Sequence, residues 1–133
     1  MPAPDFENIR RLSAFLAGEA EVELAILVGS RANRSARKDS DWDIAIQFCR
    51  SDDDLFLAFG RVETLRRQLA GLLDVLEEDI DLIELPRARL AMRAVVAEEG
   101  LPLKGEDSLA WSHFLGRTWR DLEDFYWEQR HAA

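Results

Sequence analysis

The sequence predicts a single small α/β domain with a compact mixed sheet and flanking helices. Three observations lead there. The chain has 133 residues, 47% of them hydrophobic, which suits one domain with a real core. Short apolar runs that stop at Gly29 or Pro86 alternate with stretches of helical periodicity. No internal repeat and no linker rich in Pro, Gly or Ser divides residues 1–133.

The elements follow in order. Phe6, Ile9, Leu12 and Leu16 fall near helical spacing and predict an amphipathic helix over residues 6–16. Residues 23–28 (ELAILV) read as a buried strand ending at Gly29. Residues 29–40 are small and polar, a loop with room for one helical turn. In residues 42–48 Trp42, Ile44, Ile46 and Phe48 share one face of a strand, and Asp43, Ala45 and Gln47 share the other. Residues 51–54 (SDDD) suit a helix start, since their side-chain oxygens can accept from free backbone N–H groups. That helix is expected over 55–76. Residues 80–85 (IDLIEL) predict a third strand stopped by Pro86, and 87–99 a helix ending near Gly100. Residues 101–104 read as a short strand or extended segment. Residues 107–130 predict a last helix, with Trp111, Phe114, Leu115, Trp119, Leu122 and Tyr126 on one stripe and Trp127 off it.

Charge and composition exclude several classes. Acidic residues number 26 and basic residues 17, so the net charge is −9. A protein gripping a phosphate backbone by general electrostatics should be basic, so direct nucleic-acid binding is not expected. No apolar run approaches the roughly 20 residues of a membrane span. Asp5 and Glu7 stand where a signal peptide would be apolar. The expected location is the cytoplasm. The single cysteine, Cys49, forms no internal disulfide, and with two histidines in the chain no histidine-based metal site is expected.

The chemistry-bearing stretch is Gly29-Ser30, a ten-residue spacer, then Asp41-Trp42-Asp43. Gly29 lets the backbone turn sharply and approach a ligand closely. Ser30 offers a hydroxyl and an N–H, both suited to a phosphate oxygen. Asp41 and Asp43 point the same way from a strand, roughly 7 Å apart. Such a pair repels unless a cation joins it, and a hard ion such as Mg²⁺ takes these ligands. Asp81 offers a third acid on a neighbouring strand, with Asp79 as a second candidate two residues before it. Three carboxylates from two strands suit two Mg²⁺ ions that activate a hydroxyl and stabilise leaving pyrophosphate. Arg31, Arg34, Arg37 and Lys38 form a basic island in an acidic chain, placed for a triphosphate. A lone D-x-D is usually a solvated strand edge; its setting after Gly-Ser and before Asp81 is what raises it above that.

These residues resemble the polymerase-β-type nucleotidyltransferase superfamily, and their spacing is similar to that of its minimal members, the MntA-type antitoxins. Residues 118–130 (TWRDLEDFYWEQR) resemble the tail of that group. The resemblance implies the polymerase-β-like fold and an Mg²⁺-dependent protein adenylyltransferase using ATP. It implies phosphate contacts from Gly29, Ser30, Arg31, Arg37 and Lys38, and catalytic metal ligation by Asp41, Asp43 and Asp81. It implies a hetero-oligomeric complex with a HEPN-family ribonuclease toxin of the HepT type, silenced by AMP on a tyrosine. Two alternatives remain beside it: an antitoxin acting by binding alone, and transfer to a small-molecule acceptor. The size of the chain favours an acceptor presented by a partner.

Overall fold

The computed structural model describes residues 5–37, 39–50 and 54–132. Five helices and four strands follow one another: α1 (Asp5–Ala17), β1 (Val22–Val28), α2 (Ser30–Asn33), β2 (Trp42–Phe48), α3 (Leu55–Leu73), β3 (Ile80–Glu84), α4 (Leu90–Glu99), β4 (Leu101–Lys104) and α5 (Leu109–His131). The strands form one mixed sheet in the order β3-β2-β1-β4. β1 runs antiparallel to β2 and β4, and β2 runs parallel to β3.

Each face of the sheet has its own core. On one, Leu12 and Leu16 of α1 and Leu65, Leu69 and Leu73 of α3 pack on Ala25, Leu27, Trp42, Ile44, Ile46 and Ile80. On the other, Val96 of α4 and Phe114 of α5 pack on Leu24, Ile26, Val28 and Ala45. This explains the unbroken apolar run of β1: residues 24–28 are all buried because the strand is covered on both sides. In β2 the large apolar residues Trp42, Ile44 and Ile46 go to the first face, while the second carries Asp43, buried Ala45 and Gln47.

The helices differ from their sequence limits for local reasons. α3 stops at Leu73, short of residue 76, because Asp74 adopts a left-handed conformation and its N–H returns to the Ala70 and Gly71 carbonyls. Residues 77–79 then form a 3₁₀ turn. Leu85–Arg87 form another, with Pro86 inside it, so α4 begins at Leu90 and not at residue 87. Asp54 caps α3, accepting from the N–H groups of Phe56 at 2.9 Å and Leu57 at 3.4 Å. The rest of the expected cap, residues 51–53, lies outside the described residues. On α5, Trp111 and Phe114 stack at 5.3 Å and face the core with Leu115. Trp119 and Tyr126, expected on the same stripe, are exposed, as is Trp127. Among the described residues no helix is long and apolar enough to cross a membrane.

Candidate active site

Strand register gathers the acids. Val28 pairs with Asp43 across β1 and β2, and Asp43 pairs with Asp81 across β2 and β3. Directly paired residues share a face, so Asp43 and Asp81 point to the side covered by α4 and α5, at the end where β1 gives way to Gly29. Asp41 lies just before β2 with the parity of Asp43. Gly29, Asp43 and Asp81 therefore converge from three consecutive strands of the sheet, although they are spread over more than fifty residues of chain.

Gly29 has φ 75° and ψ −157°, a conformation that glycine alone adopts readily. A Cβ there would lie 2.5 Å from the Asp43 carboxylate oxygen Oδ2. The missing side chain thus makes the space into which Asp43 extends. From Gly29 the chain enters α2 directly, and Ser30 is its first residue; the N–H groups of Ala32 and Asn33 return to the Gly29 carbonyl at 3.0 and 3.1 Å.

Electrostatics mark Asp43. Partial burial pushes its carboxyl above the ordinary carboxylate range, and the negative charges of Asp81 and then Asp41 push it further. Asp81, although set among apolar neighbours in the sequence, is exposed, as is Asp41, so neither pays a burial cost. Asp79 is engaged elsewhere: its Oδ2 accepts from the Leu76 N–H at 3.1 Å inside the 3₁₀ turn.

A divalent ion fits this set by charge and by donor type. Three carboxylates supply only hard oxygen donors, and Asp43 carries the repulsion that a cation relieves. The oxygens do not close into a cage by themselves: among the described residues no group of three His, Cys, Asp or Glu side chains is disposed to hold an ion unaided.

The basic island is divided. Arg31 is engaged within the fold: its guanidinium donates to Asp5 Oδ1 at 2.8 Å and to the Ser40 carbonyl at 2.8 Å, and lies 4.5 Å from the centre of the Trp42 ring. Arg37 is exposed, and its backbone closes a turn with Ser40, N–H to Oγ at 2.8 Å and carbonyl to N–H at 3.0 Å. Arg34 is exposed and left-handed, with φ 65°. Lys38 lies outside the described residues. Two features escaped the sequence reading: the ties of Arg31 to Asp5 and Ser40, and a contact from Arg66 of α3 to the Ile80 carbonyl beside Asp81. Their partners lie 9 to 26 residues away, and no local spacing signals them.

Residues 10–109 match the family described as Polymerase beta, Nucleotidyltransferase. The chain belongs to that family. The solved structures of like fold are consistent with this. This nucleotidyltransferase is similar, at 22% identity and a TM-score of 0.68, to a chain of a toxin–antitoxin complex with AMP-PNP, over 91% of its own length and 92% of the other. It is similar, at 23% and 0.58, to a chain of the MntA–HepT toxin–antitoxin complex, over 93% and 89%. A third likeness, at 20% and 0.63 over 94% and 93%, is to a chain in the complex of tri-AMPylated Shewanella oneidensis HEPN toxin with MNT antitoxin. At these identities the likeness establishes the fold, a polymerase-β-like α/β domain with a four-stranded mixed sheet. No curated protein sequence matches the nucleotidyltransferase.

Proposed function

We propose that this nucleotidyltransferase is an antitoxin that transfers AMP from ATP to a hydroxyl, a tyrosine's, on a HEPN-family ribonuclease toxin of the HepT type, and so silences it. The observation that carries the reading is the registered carboxylate set: Asp43 paired with Asp81, Asp41 beside it, and Gly29 giving Asp43 its space. The similar structures support it: they are toxin–antitoxin complexes, one with AMP-PNP and one with a tri-AMPylated toxin.

In this reading Asp41, Asp43 and Asp81 hold two Mg²⁺ ions. When bound, the ions lower the pKa of the acceptor hydroxyl and neutralise charge on the leaving pyrophosphate. Gly29 and Ser30 receive the phosphates at the β1–α2 turn, beside the Asp43 carboxylate that fills the Cβ-free side of Gly29. Arg37, exposed on the same loop, offers a planar fork to a phosphate oxygen, and Lys38 a second cation. Asp43, with the raised carboxyl, is the residue whose charge most requires the ions.

The test is incubation of the purified chain with its genomic neighbour toxin, ATP and Mg²⁺, followed by intact mass spectrometry. Whole AMP increments are expected on the toxin. An Asp41→Asn, Asp43→Asn double variant should lower transfer by at least about 10³-fold while the circular dichroism spectrum is unchanged. Full toxin neutralisation by that variant, with no AMP on the wild-type product, would replace the reading by inhibition through binding alone.

A further inference from the structure

Two arginines outside the carboxylate set make the same kind of contact. Arg31 on α2 donates to the carbonyl of Ser40, the residue before Asp41, at 2.8 Å. Arg66 on α3 donates to the carbonyl of Ile80, the residue before Asp81. Each guanidinium is oriented in turn by a carboxylate. Asp5 of α1 accepts from Arg31 at 2.8 Å, and Glu63 accepts from Arg66 at 3.1 and 3.3 Å. Both side chains are mostly withdrawn from water, 10% exposed for Arg31 and 23% for Arg66.

The peptide group is planar, so the carbonyl of one residue shares a plane with the N and Cα of the next. Fixing the Ser40 carbonyl fixes the Asp41 Cα. Fixing the Ile80 carbonyl does the same for Asp81. These are the two carboxylates that need it. Asp41 precedes β2, and Asp81 is the second residue of β3, a strand at the edge of the sheet. Asp43 has strands on both sides, with Val28 and Asp81 as its neighbours.

We propose that Arg31 and Arg66 are positioning residues that clamp the peptide groups before Asp41 and Asp81, and so set the distances of both carboxylates to Asp43. The proposal rests on the cation-assisted transfer described above. It assigns Arg31 to the acids and not to the nucleotide phosphates. The guanidinium suits the task because its planar fork meets a carboxylate and a carbonyl together, which an ammonium does not do in fixed geometry.

The experiment measures Mn²⁺ binding by calorimetry, together with ATP kinetics, on the full chain and its Arg31→Lys, Arg31→Ala, Arg66→Lys and Arg66→Ala variants. Loss of a residue that orients metal ligands typically weakens metal binding or activity by about 10- to 100-fold. The Mn²⁺ dissociation constant is therefore expected to rise at least about tenfold in the Ala variants, with kcat falling alongside and KM for ATP within about twofold. The Lys variants keep the charge and the aliphatic stem, and supply the reading if an Ala variant does not fold. They should fall between wild type and Ala. A raised KM for ATP with unchanged Mn²⁺ affinity would overturn the proposal, making the arginine a phosphate contact. Folded Lys variants indistinguishable from wild type would also overturn it. A wild-type chain that binds no Mn²⁺ and transfers no nucleotide sinks the functional reading itself, and the clamp with it; loss confined to the variants leaves that reading standing.

Discussion

Asp43 concentrates the conflict between folding and chemistry. Its carboxyl is raised by partial burial, by Asp81 and by Asp41. Above the ordinary carboxylate range and below its raised value, the folded chain holds a proton that the unfolded chain has released. Protonation of Asp43 therefore favours folding at acid pH, and that contribution is lost as pH rises through the raised value. At neutral pH the ionised group opposes folding. In cation-free protein Asp43→Asn should raise the melting temperature at pH 7, with the gain shrinking toward acid pH. Calorimetric melts across that range check it, and a lower melting temperature for the variant at pH 7 would refute it. The sequence made Asp41, Asp43 and Asp81 legible as a set, because a D-x-D pattern and a later apolar–acid–apolar strand are local patterns. It did not reveal that Asp79 is engaged by the Leu76 N–H, or that Arg31 faces inward to Asp5. Both depend on where a turn brings the chain back.

At the scale of elements, periodicity was a sound guide to what forms and a poor one to where it stops. β1, β2 and β3 appear where apolar spacing puts them. α3 and α4 are shorter than expected because Asp74 goes left-handed and Leu85–Arg87 close a separate turn. The order β3-β2-β1-β4 had no local signature, since it depends on which strands meet across the crossovers. Periodicity also placed Trp119 and Tyr126 on the stripe of Trp111 and Phe114, yet α5 buries only Phe114 and Thr118. A helix of 23 residues is about 35 Å long and outruns a strand of seven residues, so its distal aromatics lie beyond the sheet and pair within the helix, Phe125 with Tyr126 and Trp127 with His131. α3 shows how much rests on one end residue. Asp54 satisfies the N–H groups of Phe56 and Leu57 at a terminus whose next four large residues, Leu55, Phe56, Leu57 and Phe59, are all exposed and add little packing. Asp54→Ala should cost about 1 kcal/mol, read as a lower urea midpoint with an unchanged slope. A midpoint equal to that of wild type would show the cap to be redundant.

For the whole molecule, the net charge of −9 sets up two distinct responses to cations. Any salt screens the net repulsion that 26 acids leave against 17 bases, and this response grows smoothly with ionic strength without saturating. The proposed ligation at Asp41, Asp43 and Asp81 would instead saturate and require those side chains. It would act only on the folded chain, because the register Val28–Asp43–Asp81 exists only there. A ligand that binds the folded state alone, at ten times its dissociation constant, adds about 1.4 kcal/mol. For a chain of this length that is about 5 °C in melting temperature. Mg²⁺ titrated at constant ionic strength should therefore give a saturable rise of that order in the wild type. The Asp41→Asn, Asp43→Asn double variant should keep the smooth salt response and lose the saturable one. Its melting temperature without Mg²⁺ should already exceed that of wild type, because two of the three repelling charges are gone. Equal saturable shifts in both proteins would place the cation elsewhere on the acidic surface and remove the physical basis for a catalytic ion at the end of β1.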